Sequence, residues 1–239
     1  IRMNILWLFS DGIITTSHFL TSKYQKNNKN NIIELPSLFD VKDFDPPILN
    51  NSNSTHFIYC GDAFNVERKT VKERLDVAIL SLNELEDINF SFDIFGVTES
   101  DYLEMYPTHR NLLLKLEKKI TFHGRIANSK YRNFLRNADF QIFFRDATRA
   151  NRAGFPTKLS ESISSGIPVV TSEMDGVNYL KDLDYIFLAK KGEESKNLEK
   201  CIRMSRNDKN LLKEAAFNSM KFDFNKYRDQ MKNFLLNIS

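Results

Sequence analysis

The residues best suited to chemistry lie between Arg145 and Glu161, with one more at Lys72. Arg145 follows the apolar run 140–144 (FQIFF). A guanidinium in that position can bind phosphate through two parallel hydrogen bonds. Next comes Gly154-Phe155-Pro156-Thr157-Lys158. Gly154 permits close approach of the backbone to a ligand. Pro156 suits the first position of a helix, where a missing N–H leaves nothing orphaned. Thr157 offers an N–H and a hydroxyl, and Lys158 adds positive charge beside a helix N-terminus, which itself favours anions. Glu161, one turn further on, can accept hydrogen bonds from vicinal hydroxyls such as those of a ribose. Together these residues point to a phosphate-bearing ligand. Lys72 falls in the first turn of another predicted helix, where it opposes the helix dipole unless an anion sits beside it. Plainer readings stay open: a solvated lysine at Lys72, a surface salt bridge to Asp146 or another carboxylate for Arg145, and an exposed helix carboxylate at Glu161. His123, beside Gly124 at a predicted strand end, is either a ligand neighbour or structural.

These side chains need elements to hold them. Apolar runs predict strands at 13–16, 32–36, 57–60, 90–97, 120–122, 140–144, 167–170 and 185–189. Helices are expected at 18–24, capped by Ser17, and from Thr70 onward. The latter carries a capping-box pattern, Thr70 with Glu73, and apolar positions Val71, Leu75, Ala78, Ile79, Leu82 and Leu85. Further helices are expected at 102–118, 130–137, 157–165 (stopped by Gly166) and 177–183, with a helical tail from 194, interrupted near 221–223. Residues 41–55, rich in Asp, Asn, Pro and Ser, read as a linker, and 1–9 are apolar but unpatterned. From 56 to 190 strands alternate with helices, which predicts an α/β fold: a parallel sheet with helices on both faces. The Arg145–Glu161 stretch would then sit where a strand ends and a helix begins, the edge at which such sheets bind ligands.

Composition removes several classes. The net charge of the 239 residues is +3, with no long single-sign block, so nucleic acid is not an expected partner. No apolar run approaches the roughly 20 residues of a membrane span, and the N-terminus has no signal-peptide layout. Cys60 and Cys201 form no zinc-like spacing, and Cys60 reads as a small core residue. The four histidines show no metal spacing. GxGxxG, GxxxxGK[ST] and GxSxG are all missing, which disfavours nicotinamide, P-loop and serine-hydrolase chemistry. The opening residues read as the interior of a longer protein.

The stretch AGFPTKLSESISSGIPVV resembles the donor-binding signature of GT-B glycosyltransferases, family 4 in particular. Gly154, Phe155, Glu161, Gly166, Pro168, Val169 and Val170 match it, and Arg145, Pro156, Thr157 and Lys158 match a subgroup with a Gly-Phe-Pro-Thr-Lys turn. Lys72-Glu73-Arg74-Leu75-Asp76 is similar to the Lys-Asp-Arg-Leu-Asp often found near the opening of the family's second domain, and residues 120–125 look like the strand and loop near the nucleotide base. The resemblance implies the C-terminal half of a GT-B fold. Residues 1–45 would be a remnant of the N-terminal domain and linker, 46–205 the Rossmann-like domain, and 206–239 C-terminal helices. It implies a cytoplasmic enzyme, at the inner face of a membrane if its acceptor is lipid-linked, that moves a sugar from a nucleotide-sugar, UDP-linked in the family, to a saccharide or lipid-linked acceptor with retention. Peripheral membrane contact would come through the rest of the N-terminal domain. No metal or other cofactor is expected. Lys72, Arg145, Thr157 and Lys158 would hold the diphosphate, Glu161 the ribose, and Gly124 and Arg125 would lie near the base. One departure stands out: Ala153 replaces a glutamate that sits near the donor sugar in the family. A non-catalytic nucleotide-sugar-binding domain is therefore one alternative; a nucleotide-sugar epimerase of the same fold is another, though it needs an extra acid/base set that the sequence does not display.

Overall fold

The regular part of the chain begins where the Asp- and Pro-rich stretch ends. In a computed structural model, residues 10–26 and 31–238 are described, so the expectation for 1–9 lies outside the described residues. The first of these form β1 (Ile13–Thr15), α1 (His18–Gln25) and β2 (Ile32–Glu34), with β1 and β2 paired in parallel. Ser17 caps α1 by accepting from the Leu20 N–H at 3.4 Å, as its position predicts.

The second unit runs through β3 (Thr55–Cys60), β4 (Phe64–Asn65), β5 (Thr70–Val71), α2 (Leu75–Asn83), β6 (Phe90–Phe95), α3 (Glu99–Met105) and α4 (Arg110–Lys115). It continues with β7 (Ile120–Gly124), α5 (Asn128–Asn137), β8 (Phe140–Phe143), α6 (Arg149–Ala153), α7 (Thr157–Ser164), β9 (Val169–Ser172) and β10 (Ile186–Ala189). Helices α8 (Glu194–Arg203), α9 (Arg206–Asn218) and α10 (Arg228–Ile238) close the chain. Six strands form one sheet in the order β10-β9-β8-β3-β6-β7, every pairing parallel. The order reverses between β3 and β8, and ligands of doubly wound sheets bind at such a switch point, outside the carboxyl ends of the strands.

The period-2 pattern of the strands sorts their side chains between two faces. Phe57 and Tyr59 of β3 and Phe92 and Ile94 of β6 join the larger core with Leu75, Ala78, Ile79 and Leu82 of α2. Ile58 and Phe95 point the other way, onto Tyr131 and Leu135 of α5. Helices therefore cover both faces. Arg206, at the start of α9, ties the C-terminal helices to the sheet. It donates to Ser52 O at 2.7 Å and Ser54 O at 2.8 Å, and its guanidinium grips the fully buried Asp139 at the start of β8.

Several expected elements are corrected. No helix starts at Thr70. Thr70 and Val71 form β5, which pairs with β4 as a hairpin, and α2 starts at Leu75 with Arg74 as its N-cap and no capping side chain. Lys72 and Glu73 both donate their N–H to Ala63 O, at 2.8 and 2.9 Å, and this turns the chain before the helix can begin. Lys72 is therefore not in a helical first turn. The single helix expected over 102–118 is two, α3 and α4, separated at Tyr106-Pro107. Proline has no N–H to donate, and it disfavours helical backbone at the residue before it. The capping box of this region is Thr98 with Asp101. Between Arg145 and Gly154 the chain forms the short helix α6, capped by Thr148, which no expected element covers. The C-terminal helical stretch also breaks at Met204-Ser205, ahead of the expected interruption.

Candidate functional site

The carboxyl ends of β3 and β8 meet at a crevice floor built from glycine. Gly61, after β3, has φ +146°, and Gly96, after β6, has φ +90°. A Cβ on Gly96 would lie 2.7 Å from Gly61 O, and one on Gly61 would lie 2.7 Å from Lys158 Nζ. Both positions thus combine a backbone that side chains disfavour with a close approach that they would block. Gly61 N–H donates to Phe95 O at 3.1 Å, and Gly96 N–H to Gly124 O at 2.7 Å, which levels three strand ends.

The segment from the hairpin to α2 is pulled across this floor. Arg74 N–H donates to Phe144 O at 2.7 Å, which places Glu73 against the end of β8. Glu73 is 1% exposed. Its Oε1 accepts from Arg145 Nε at 3.0 Å and Nη2 at 2.5 Å. Its Oε2 accepts from Tyr59 Oη at 2.7 Å and from Lys158 Nζ. Burial pushes the Glu73 carboxyl up, but the charges of Lys158 and Arg145 outweigh it and hold the group at about 2. Burial, then the negative charge of Glu73, pushes the Tyr59 phenol well up, so it stays a donor. Burial pushes the Lys158 ammonium down, against the pull of Glu73.

Two of the expected phosphate cations, Arg145 and Lys158, are thus brought together, at 8% and 13% exposure. Arg145 does pair with a carboxylate, but with the buried Glu73 rather than at the surface with Asp146, which pairs with Arg74 at 3.1 Å. Lys72 is not part of the cluster; its side chain is exposed at the rim, and its carbonyl accepts from Asn151 Nδ2 at 3.5 Å. The N-terminus of α7 opens on the same crevice. Pro156 is its N-cap rather than its first residue, and among the described residues no side chain caps it and the Thr157 and Lys158 amides have no acceptor. The Thr157 hydroxyl lies 3.4 Å from that of Ser37, in the N-terminal segment.

Glu161 faces the end of β3. It is partly buried, and its carboxylate makes no hydrogen bond or ion pair among the described residues. Burial raises its pKa, with Arg132 and Lys158 pulling partly the other way. It lies near enough to Cys60 for its charge to help burial push that thiol up to about 11. Gly154 does not need its freedom: its backbone is extended (φ −99°, ψ 154°), and a Cβ would make only an ordinary contact at 3.7 Å. The neighbouring Ala153 O accepts from Ser17 Oγ at 2.9 Å, so this turn is held by the N-terminal segment. Phe155 is a core residue, 5.7 Å from the Phe222 ring.

On the opposite flank Gly124, with φ +62°, turns the chain after β7, and Arg125 extends to Asp62 at 3.2 Å. Arg125, Asp62, Phe64, Gly96 and Thr98 line a cavity of about 520 Å³. A second cavity, about 760 Å³, lies past β8 between Arg145, Arg74, Ser172 and Lys191. His123 stands outside both. Its Nε2 lies 2.6 Å from Asp93, which also holds His56 at 2.7 Å, and its ring stacks on Phe95 at 4.3 Å. Burial raises the Asp93 carboxyl, but hydrogen bonds from His56 and His123 more than offset this and lower it. The structural reading of His123 is the one its contacts support.

Comparison with known proteins adds the decisive observation. The glycosyl transferases group 1 family matches residues 54–207, most of the chain. The chain belongs to this family. No curated protein sequence matches it significantly. Among solved structures, the lipopolysaccharide outer core galactosyltransferase WaaB is similar with a TM-score of 0.66 at 17% identity, over 96% of this chain and 62% of that one. HepE of Anabaena, solved with UDP and glucose, gives a TM-score of 0.69 at 15% identity, over 95% and 63%. Sucrose-phosphate synthase of Thermosynechococcus elongatus gives 0.67 at 14%, over 96% and 58%. This group 1 glycosyl transferase chain thus spans less than two thirds of each neighbour's length. The shared fold is GT-B, and the six-stranded unit is its Rossmann-like sheet. Among the residues that hold the site together, Glu73 and Tyr59 were not foreseen. Glu73 reads locally as half of a capping box; its one hint was the acid at the matching place of the similar Lys-Asp-Arg-Leu-Asp motif.

Proposed function

We propose that the chain forms the donor side of a hexosyltransferase that takes a UDP-sugar and passes the sugar, with retention, to a saccharide or lipid-linked acceptor. The diphosphate lies at the N-terminus of α7, on the Thr157 and Lys158 amides, with the outer N–H groups of Arg145 and Lys158 beside it. Lys72 reaches in from the rim. Glu161 takes the ribose hydroxyls, and the base lies toward Gly124 and Arg125. Bond breaking at the sugar leaves negative charge on the diphosphate. Fixed cations and amides already aimed at that charge stabilise its departure without reorganising. HepE, a structural neighbour, was solved with UDP, UDP-glucose, and UDP plus glucose, which supports UDP as the carrier.

The observation that carries this reading is Glu161: a partly buried carboxylate with no partner among the described residues, beside an uncapped helix N-terminus. Burying an unpartnered carboxylate is costly unless a ligand supplies donors. Glu161→Ala should weaken UDP and uridine alike by about 1–3 kcal/mol, the loss of charge-assisted hydrogen bonds. Calorimetric titration checks this, and unchanged affinity for both would remove the ribose role. Ala153 in place of the family's sugar-side glutamate favours one rival, binding without transfer. Release of UDP from a panel of UDP-sugars by the full-length protein separates the two.

A further inference from the structure

We infer that Glu73 is a positioning residue for the donor diphosphate: it fixes the directions in which Arg145 and Lys158 present their remaining N–H groups. The inference rests on the diphosphate reading given above.

Saturation of the Glu73 carboxylate carries the argument. Oε1 is taken up by Arg145 Nε and Nη2, and Oε2 by Lys158 Nζ and Tyr59 Oη. A carboxylate so enclosed and 1% exposed is not displaced by an incoming anion. Breaking a buried pair by removing one partner is strongly destabilising, so the three charges persist as a unit. Neither cation is exhausted. Arg145 uses Nε and Nη2 on Glu73, and its Nη1 makes no hydrogen bond among the described residues. Lys158 has three N–H donors, and its one hydrogen-bond partner among the described residues is Glu73. Phe143 and Tyr59 flank the same groups: the Arg145 guanidinium is 5.6 Å from the Phe143 ring, and Lys158 Nζ is 4.4 Å from the Tyr59 ring. These rings and the saturated carboxylate restrict where the remaining N–H groups can point; Lys158 stands in the first turn of α7, and Arg145 also borders the cavity past β8. Long cationic side chains lose much rotamer freedom when a ligand orders them. Glu73 imposes that order before the ligand arrives.

Simple electrostatics predicts the reverse. Deleting a negative charge next to an anion site should tighten anion binding. Glu73→Gln therefore separates positioning from charge masking, because it keeps the shape and removes the charge. Positioning predicts that Glu73→Gln binds UDP at least tenfold more weakly than wild type while uridine affinity changes less than twofold. Glu73→Asp, which keeps the charge but draws it back, should lose an intermediate amount, again for UDP alone. Equal or tighter UDP binding by Glu73→Gln would overturn the inference, and so would equal losses for UDP and uridine. If Glu73→Gln does not fold, Glu73→Asp decides by the same split. If neither folds, Glu73 is a core counter-ion and the positioning role falls. Wild-type protein that binds neither UDP nor GDP would instead overturn the diphosphate reading itself, and this inference with it.

Discussion

Glu161 and Glu73 are carboxylates in one crevice with opposite electrostatic fates. Glu73 is held down by two cations, and Glu161 is raised by burial. The sign for Glu161 follows from linkage. Its folded pKa lies above the ordinary carboxylate value, so the native state binds the proton more tightly than the unfolded chain does. The stability this provides is present at low pH and is lost as pH rises from the ordinary carboxylate range through the raised value. Glu161→Gln, neutral throughout, should therefore melt about 2 °C or more above wild type at pH 7, a modest gain for a chain of this size. The gap should close near pH 4. Thermal melts at the two pH values check this, and a lower Tm for the variant at pH 7 would show that Glu161 is satisfied within the protein. The sequence could bring Arg145, Lys158 and Glu161 to one strand-to-helix edge, because the strand before Arg145 and the helix from Thr157 were themselves readable. Glu73 could not be placed there. Its spacing from Thr70 fits a capping box, and only the tertiary pull of Arg145 and Lys158, distant in sequence, overrides that local reading.

At the scale of elements, the strands of the two parallel sheets were readable because they are short apolar runs ending in glycine or a polar residue, whereas the two-residue strands β4 and β5 carry no such run. The helices on 102–118 and after Thr70 were less readable, because periodicity continues through breaks that backbone chemistry imposes. Pro107 ends one helix, and paired N–H bonds to Ala63 O delay the other. The crevice floor depends on a contact that no pattern reveals, Gly96 against Gly61. With φ +90° and a Cβ 2.7 Å from a backbone oxygen, Gly96→Ala must move the end of β6 or that of β3. It should cost about 1–3 kcal/mol of stability, the range for strained backbone. Urea unfolding checks the value, and a change under about 0.5 kcal/mol, as at an ordinary surface position, would show that the floor yields freely.

At the scale of the molecule, the alternation of elements predicted a parallel α/β sheet, and the sheet order places its reversal between β3 and β8. That reversal brings Glu73, from the connection between β3 and α2, together with Arg145 and Lys158, from the segment that leaves β8 and enters α7. The link to the N-terminal segment, through Ser17 to Ala153 and Ser37 to Thr157, could not be read from sequence, because it joins residues more than a hundred positions apart. If this switch point is a nucleotide-sugar site, UDP must bind there. A crystal of the chain soaked with UDP tests it most directly. The expected result is diphosphate oxygens in hydrogen-bond contact with the Thr157 and Lys158 amides and the Arg145 guanidinium, and ribose hydroxyls on Glu161. A nucleotide bound in the cavity between Arg74 and Lys191 with the α7 N-terminus left free, or no nucleotide at saturating concentration, would contradict it.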